Sequence, residues 1–276
     1  MKIIFFFFNI YRFILANIKY LISKNKVLVP NHNLSKKLIV SLTSKKSRFI
    51  FLHLTLMSLF HQKTLPDRII LWIDKKEKKF LNNRILKFCT YGLEIKFCDN
   101  LGSYNKIYYM LNNNNEDYIV TFDDDVIYHN ESISKLVNSS LLHGDKFVIS
   151  NRVHEITFFN NKLLNYNSWK WNSKKTKPSI YNFQTGVYGV LYPPKCFHSD
   201  VVNKKSILEL CPYADDIWLY WMIRLNKRKV VWSGFDKMNL KNLDFSNKSL
   251  HKKNVGNNMN DFQIHNLINK YNFPVD

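Results

Sequence analysis

The sequence predicts an α/β fold whose sheet is doubly wound and mostly parallel, with helices flanking it. Three observations predict it. From Leu38 onwards, short β-branched runs alternate with segments of helical periodicity. Hydrophobic residues make up 46% of the 276 residues and aromatic residues 15%, which supplies the core of a globular protein. Polar or acidic residues end successive strands.

The first half of the chain alternates strongly between strand and helix. Its predicted strands are KLIVSLTS, DRIILWID, LEIKFCD and DYIVTF. Its predicted helices are RFIFLHLTLMSLFHQ, a lysine-rich stretch to about Tyr91, SYNKIYYML with Ser103 as N-cap, and ESISKLVNSSLL. Four strands separated by helices predict parallel pairing with right-handed crossovers.

After Lys146 the pattern is less regular. Strands are predicted at FVISN and KVVWSG, and ADDIWLYWMIRLN is predicted to be an amphipathic helix. We expect an N-terminal segment (1–30) followed by two halves, 31–145 and 146–276, which share one continuous sheet. The basic, aromatic region around Trp169 to Tyr181 is expected to be irregular.

The N-terminal sequence MKIIFFFFNIYRFILANIKYLIS is apolar with a narrow polar stripe. Lys2, Asn9, Arg12, Lys19 and Ser23 share one face of a helix. This favours a helix lying on an anionic membrane surface. A membrane-spanning helix and a helix docked on the protein or a partner remain alternatives. A cleaved signal peptide is not expected, because no small-residue cleavage site follows the apolar stretch.

Charge and cysteine content narrow the class of protein. The 41 Lys and Arg exceed the 21 Asp and Glu and give a formal charge of +20, which invites a nucleic-acid or anionic-membrane partner. The lysines are scattered and no arginine-rich run accompanies them, so we expect no specific nucleic-acid partner. The four cysteines form neither a CxxC pair nor a disulfide framework, which is typical of reduced thiols in the cytoplasm.

Carboxylates gather at the end of a predicted buried strand in YIVTFDDDVIYHN. Three adjacent carboxylates repel one another, so we expect a cation beside Asp123, Asp124 and Asp125. Mg²⁺ and Mn²⁺ prefer such oxygen ligands and can hold a diphosphate against them. The other strands end in polar or acidic residues, each of which could alone be a cap or turn: Ser41, Thr43, Asp74 and Asp99.

From about Leu38 to Tyr271 the chain resembles the GT-A glycosyltransferases, and in particular the family-2-like enzymes that build bacterial surface polysaccharides. The resemblance is carried, in order, by IVSLTSKKSRF, LHLTLMSLFHQKTLPDRIILWID, GLEIKFCDNLGSYNKI, YIVTFDDDVIY, TGVYGVLYPP and ADDIWL. It implies the GT-A fold, a Rossmann-like, mostly parallel sheet with a smaller acceptor-side mixed sheet. Residues 31–145 would bind the nucleotide sugar and residues 146–276 the acceptor.

The resemblance also implies the donor site. Thr43 and Arg48 would lie around the base and ribose, with Ser41 at the same strand end. Asp74 and Asp99 would face the same half-site, the latter contacting the base. Lys106 would meet the nucleotide or its phosphates, although it could also be a solvated helix lysine.

For the metal and the chemistry, the resemblance implies that Asp125 binds Mn²⁺ or Mg²⁺ directly. Asp123 would serve the ribose or a metal-bound water, and Asp124 would be oriented toward the sugar. Asp216, favoured over Asp215, would be the general base that accepts the proton of the acceptor hydroxyl. The alternative is that both aspartates only cap their helix.

The function implied is a metal-dependent transfer, with inversion favoured, from a nucleotide diphosphate sugar to a glycan or lipid-linked glycan. The enzyme would be cytoplasmic and peripheral on the inner face of the cytoplasmic membrane. A metal-dependent nucleic-acid-processing enzyme and a non-catalytic nucleotide-sugar-binding relative are the alternatives.

Several residues keep two interpretations. Gly186 and Gly189 indicate close backbone approach to a bound sugar or a turn entering a strand. Trp218 and Trp221 are expected in the core rather than as sugar platforms. His251 and His265 are expected at the surface, not on the metal. TSKKSRF departs from the family pattern in its first loop, and the segment from Trp169 to Tyr181 is either an acceptor loop or variable surface.

Overall fold

The computed structural model describes residues 27–113, 116–237, 240–241 and 258–274, with the isolated positions 11, 14, 15, 17, 18, 22, 254 and 256. Most of the predicted N-terminal helix, and His251, lie outside the described residues. Where the chain is described, no helix has both the length and the hydrophobicity needed to cross a bilayer.

The described part of the chain forms fourteen strands and seven α-helices. The strands are β1 (Leu38–Ser44), β2 (Arg68–Asp74), β3 (Leu93–Cys98), β4 (Tyr118–Thr121), β5 (Val126–Ile127), β6 (Phe147–Ser150), β7 (Val153–Glu155), β8 (Phe158–Phe159), β9 (Lys162–Leu163), β10 (Lys170–Ser173), β11 (Asn182–Gln184), β12 (Val190–Tyr192), β13 (Lys229–Trp232) and β14 (Leu240–Lys241). The helices are α1 (Phe49–Phe60), α2 (Asn83–Leu86), α3 (Asn105–Asn113), α4 (Ser132–His143), α5 (Lys204–Leu210), α6 (Asp215–Leu225) and α7 (Met259–Tyr271).

A seven-stranded sheet in the order β13-β6-β12-β4-β1-β2-β3 is the centre of the fold. Its strands pair in parallel except β12, which runs antiparallel to both of its neighbours. The predicted parallel pairing of the first four strands is confirmed. A smaller antiparallel sheet, β10-β7-β11, accompanies it, so the predicted fold class is confirmed.

Both faces of the large sheet are buried, as expected when helices cover a parallel sheet on two sides. Leu38, Val40 and Leu42 of β1 point into a cluster that includes residues of α1 and α4. Ile39, on the opposite face, joins a second cluster that includes residues of α3, α6 and α7. The alternation along one strand therefore builds two cores.

Helix α6 is buried around most of its circumference, so the prediction of an amphipathic helix is wrong. Trp218 and Trp221 are fully buried, which confirms that they belong to the core. Even Arg224 is only 2% exposed, and its Nη1 donates to the carbonyl of Arg228 at 2.6 Å. The helix is buried because it lies against both the small sheet and α7.

Two local predictions in the first half need correction. The lysine-rich stretch forms two 3-10 helices, Lys75–Phe80 and Lys87–Tyr91, around the short α2 instead of one helix. Adjacent lysines repel one another and few apolar side chains are available to bury one face. Ser103 is not the predicted N-cap, because it lies inside the 3-10 turn that precedes α3. The side chain of Asn105, the first residue of α3, accepts from the backbone N–H of Leu101 at 2.8 Å.

Candidate functional site

Parallel pairing brings the carboxyl ends of β1 and β4 together at one edge of the sheet. Ser41 of β1 lies opposite Thr121 of β4, so the residues that follow each strand are neighbours. The hydroxyl of Ser44 donates to Oδ2 of Asp124 at 2.5 Å. The loop after β4 is therefore fastened directly to the end of β1.

Arg48 is the first cation beside the acidic triplet. Its Nη1 donates to Oδ1 of Asp124, and its Nη2 lies 3.2 Å from Oδ2 of Asp125. Asp124 is 4% exposed, and its carbonyl also accepts from Thr55 of α1 at 2.9 Å. Because Asp124 is buried and held on three sides, its contacts are those of an anchor for the triplet.

Lys106 is the second cation. It is 4% exposed, so it is not a solvated helix lysine. Its Nζ lies 2.7 Å from Oδ1 of Asp123 and 3.1 Å from Oδ2 of Asp215. Burial alone would lower the pKa of Lys106, but the carboxylates of Asp123, Asp215 and Asp216 raise it well above its usual range. A permanently charged ammonium therefore links the triplet to the start of α6.

The position of the two cations answers the electrostatic question raised by the sequence. The repulsion within the triplet is offset by Arg48 on one side and Lys106 on the other. A metal ion is therefore not needed to make the cluster stable in the folded chain. Both cations come from helical segments that precede the triplet in the sequence.

Asp216 lies at the first turn of α6 and differs from Asp215 in its contacts. Both carboxylate oxygens accept from the backbone N–H of Gly186 at 3.0 Å. Burial and the neighbouring charge of Asp215 raise the pKa of Asp216 to about 7, although Lys106 acts in the opposite direction. Asp216 is half-buried, and with a pKa near 7 its carboxyl group can change protonation near neutral pH.

Gly186 is required by its close approach to Asp216. A Cβ at this position would lie 2.9 Å from Oδ1 of Asp216 and 3.5 Å from Nζ of Lys106. Any side chain would therefore displace the carboxylate. Of the two interpretations of Gly186, close approach is the one that this packing supports, although the group approached here is a carboxylate.

Four predicted donor-site residues lie at the ends of β1, β2 and β3. Ser41 is buried; its hydroxyl donates to the carbonyl of Lys106 and accepts from Nε1 of Trp72 at 3.1 Å. The hydroxyl of Thr43 donates to the carbonyl of Trp72 at 2.9 Å. The contact between Ser41 and Lys106 holds α3 against β1 and so positions Lys106, whereas the contacts with Trp72 join β1 to β2.

The remaining two aspartates lie farther out. Asp74 caps the 3-10 helix that follows β2 by accepting from the N–H of Lys76 at 2.9 Å. Asp99 is exposed and forms an ion pair with Lys75 at 3.0 Å. The structure thus brings Ser41, Thr43, Lys106, the triplet and the acidic pair together, and leaves Asp74 and Asp99 at the neighbouring edge.

The acidic triplet offers donors suited to a divalent metal. Within the described residues, no three His, Cys, Asp or Glu side chains form a complete metal-binding group. Mg²⁺ in phosphate sites needs only one or two carboxylates, with phosphate oxygens and water completing its shell. The side chains of Asp123 and Asp125 are 30% and 26% exposed, so this chemistry fits them. His265 is exposed on α7.

Sequence reasoning missed Tyr128 and Gln184. The Tyr128 hydroxyl accepts from the N–H of Asp123 at 2.9 Å and lies 3.2 Å from the carbonyl of Val187, which ties the triplet to the Gly186 turn. Gln184 donates to the carbonyl of Asp216 at 3.1 Å. No local pattern marks either residue, because each acts through a contact between distant segments.

Comparisons with known proteins agree with this architecture. The model of the family "Glycosyl transferase family 2" matches residues 48–203, which is more than half of the chain. No curated protein matches the chain.

Three solved structures illustrate the similarity. Residues 1–349 of TarS from S. aureus have a TM-score of 0.48 and 15% identity, over 75% of this chain and 60% of that one. The mannosyltransferase PcManGT from Pyrobaculum calidifontis, in complex with GDP-Man and Mn²⁺, has a TM-score of 0.45 and 9% identity. The similarity covers 81% of this chain and 61% of that one. The inositol-1-phosphate CTP transferase from T. maritima has a TM-score of 0.45 and 10% identity, and the similarity covers 79% of this chain and 95% of that one. This chain therefore spans about 60% of the first two. The family match covers the sequence that builds β2 to β4, the triplet and the Gly186 turn, and by it the chain belongs to glycosyl transferase family 2.

Proposed function

We propose that this glycosyltransferase moves a sugar from a nucleotide diphosphate sugar to a hydroxyl group of a glycan or lipid-linked glycan, with inversion at the transferred carbon. The proposal rests on one observation: Lys106, 2.7 Å from Asp123 and 3.1 Å from Asp215, brings the acidic pair that opens α6 beside the acidic triplet at the edge of the sheet. Family membership favours glycosyl transfer over the nucleic-acid-processing alternative.

Asp216 has the properties of a general base. Such a group works best when its pKa lies near the working pH, because it is then both deprotonated and basic. Asp215 is less suited, since its carboxylate is paired with the ammonium of Lys106. The charge of Asp123 also contributes to the raised pKa of Asp216, so the base and the triplet lie within electrostatic reach of each other.

The proposed step exchanges one bond for another. Asp216 accepts the proton of the acceptor hydroxyl as its oxygen forms a bond to the anomeric carbon. The bond from that carbon to the diphosphate breaks on the opposite face, and the nucleoside diphosphate leaves with the electron pair. The backbone N–H of Gly186 orients the carboxylate toward the incoming hydroxyl.

We assign the donor to the edge formed by β1, β2 and β4. Thr43, Asp74 and Asp99 would lie along the nucleotide, and Arg48 and Lys106 would orient the triplet around the diphosphate. Asp125 and Asp123 would hold Mn²⁺ or Mg²⁺, which when bound neutralises charge on the departing diphosphate.

Transfer and donor binding test the assignment separately. The whole chain is incubated with Mn²⁺, a panel of UDP- and GDP-sugars and candidate oligosaccharides, and products are measured by mass spectrometry. We expect Asp216→Asn to lower transfer by at least 10²-fold while donor binding persists, since the base contributes about 10² to 10⁴. Asp125→Asn should lower metal-dependent donor binding.

The matched control is Asp236→Asn, because Asp236 is an exposed aspartate outside the site. Its transfer rate should equal that of the unmodified chain. Full transfer by Asp216→Asn would refute the assignment of the base. Donor binding without any turnover in the unmodified chain would instead support the non-catalytic alternative.

We also propose that the chain works at the cytoplasmic face of a membrane. The support is the net charge of +20 and the apolar N-terminal sequence with its basic stripe. Flotation with anionic and zwitterionic vesicles tests it. Binding should require anionic lipid and weaken when residues 1–26 are removed, and equal binding to both vesicles would contradict it.

A further inference from the structure

Trp171 stands out on the small sheet beside the proposed catalytic base. It belongs to β10, and its large indole side chain is 38% exposed. Its ring stacks on the imidazole of His154 with centroids 5.1 Å apart and planes 12° apart. One face of the indole is therefore covered, and the exposed area belongs to the rest of the ring.

The support beneath Trp171 is rigid and uncharged. His154 is 1% exposed, and its Nδ1 accepts from the backbone N–H of Asn172 at 3.1 Å. Burial, with a smaller effect of Arg152, lowers the pKa of His154 to about 3, so the imidazole is neutral at physiological pH. The ring of Tyr166 lies at 67° to the indole, with centroids 6.0 Å apart. The ring is held in one orientation before any ligand arrives.

A short series of contacts connects Trp171 to Asp216. Asn172, the next residue, accepts from Nε of Arg152 at 2.6 Å. The carbonyl of Arg152 accepts from the N–H of Thr185 at 3.1 Å, and the following residue, Gly186, holds Asp216. The indole and the base are thus connected through two intervening segments of chain, one at Arg152 and the other at Thr185 and Gly186.

The electrostatics indicate the same proximity. Burial raises the pKa of the Tyr166 hydroxyl, and the strongest contribution from any charge comes from Asp216. Tyr166 packs against Trp171, so the carboxylate acts on the aromatic cluster that supports the indole. The exposed ring and the proposed base are therefore connected through Tyr166.

Arg152 adds hydrogen-bond donors to this region. Its guanidinium lies 5.8 Å from the centroid of Tyr188, and only its Nε contacts Asn172. In the part of the chain that the structure describes, no carboxylate forms an ion pair with it. A guanidinium held by the residue that follows Trp171 can bind the oxygen atoms of a polar ligand that covers the indole ring.

We propose that Trp171 and Arg152 form the acceptor subsite, in which the apolar face of one acceptor sugar ring stacks on the indole and Arg152 donates hydrogen bonds to its oxygens. The ligand class is therefore a glycan. This inference rests on the proposed transfer, because it gives the acceptor its place relative to Asp216. A rigid ring loses little conformational freedom when a ligand binds, which favours affinity. A single exposed apolar residue would by itself mean nothing, but this one has a built support, a neighbouring free donor set and the base beside it.

Binding to a defined set of oligosaccharides tests the subsite. The probe is an array of neutral and carboxylated oligosaccharides, read with the whole labelled chain in the presence of UDP and Mn²⁺. We expect binding to one group on the array. Trp171→Ala should weaken it about tenfold or more, Trp171→Phe should restore most of it, and Arg152→Gln should weaken it to a smaller extent.

The control is Phe159→Ala, because Phe159 is an aromatic residue in the same half of the chain and is 67% exposed. Its glycan binding should match that of the unmodified chain. Donor-induced thermal stabilisation of every variant reports whether the fold and the donor edge are intact. A variant at position 171 that had merely unfolded would lose this stabilisation too.

The outcomes separate this inference from the proposed function. Equal binding by Trp171→Ala and the unmodified chain would overturn the subsite, as would equal losses in the Phe159 control or no binding to any member of the array. If glycan binding depends on Trp171 but no donor-dependent transfer occurs, the subsite stands and the proposed transferase step fails.

Discussion

At the residue scale, Lys106 is the residue on which the site depends. It is buried between carboxylates that come from the end of β4 and the start of α6. Removing one partner from a buried ion pair leaves an uncompensated charge, which costs more than the pair itself contributes. The two acidic groups therefore need this ammonium to coexist.

The first prediction concerns this ammonium. Lys106→Met should lower the free energy of unfolding by about 3 kcal/mol, because Asp123 and Asp215 lose their shared cation. Urea denaturation at pH 7.5 measures it. Lys146→Met, at an exposed lysine, is the control and should change the stability by less than about 0.5 kcal/mol. An equally stable Lys106 variant would contradict the assigned role.

The second prediction concerns the protonation of Asp216. Its pKa is raised to about 7 in the folded chain, so folding binds a proton that the unfolded chain releases near pH 4. Stability from this group is full below the unfolded pKa and is lost as the pH rises through about 7. Asp216→Asn should therefore raise the melting temperature at pH 8 relative to the unmodified chain, and less so at pH 5.5.

Comparing the two chains at each pH removes the effects of titrating groups that do not interact with Asp216. Thermal unfolding followed by circular dichroism is sufficient. A stability difference that does not change between pH 5.5 and pH 8 would show that the carboxyl group of Asp216 titrates normally.

At the element scale, the turn that leads into β12 packs closely against the residue that follows β4. Gly189 has φ of +99°, and a Cβ there would lie 2.3 Å from the ring of Phe122, which follows β4 and precedes the triplet. The backbone is this close because β12 pairs antiparallel with β4. Of the sequence interpretations of Gly189, a turn entering a strand is the one realised.

The third prediction follows from that contact. Gly189→Ala should cost at least about 3 kcal/mol of stability, since overpacking adds to the strain of a left-handed conformation. Gly144→Ala is a matched control: φ is +73° but no atom lies within 4 Å of the added Cβ, so only about 1 kcal/mol is expected. Similar losses from the two substitutions in chemical denaturation would disprove the packing argument.

Elements were predictable where the local pattern had one interpretation. The first four strands, helix α4 and helix α6 occur where the sequence places them. The stretch from Lys75 to Tyr91 did not become one helix, because propensity alone does not supply an apolar face. Helix α6 was taken as amphipathic, whereas contacts with distant segments bury most of its circumference.

At the scale of the whole molecule, the proposed donor edge is formed by β1, β2 and β4, which are separated in the sequence and neighbours in the sheet. A ligand that binds only the folded state stabilises it in proportion to the logarithm of its concentration. The fourth prediction is that the true nucleotide sugar, at about 100 times its Kd with Mn²⁺, raises the melting temperature by roughly 5 °C.

Asp125→Asn should lose most of the Mn²⁺-dependent part of this shift. Differential scanning fluorimetry with and without Mn²⁺ measures it for each UDP- and GDP-sugar. If the shift in the Asp125 variant is as large as in the unmodified chain, the metal is not held by this carboxylate.

Local sequence patterns were sufficient to predict the order of the first four strands, the sheet edge at which polar residues gather, and an acidic triplet that needs a counter-charge. Those properties follow from local periodicity and from the geometry common to parallel sheets. The cations that supply this charge are Arg48 and Lys106, and they could be identified only from the folded arrangement. The tertiary structure also decided that Gly186 holds Asp216 and that His154 supports Trp171. Electrostatic and packing energies depend on distance in space, and the spacing of residues along the chain does not specify that distance.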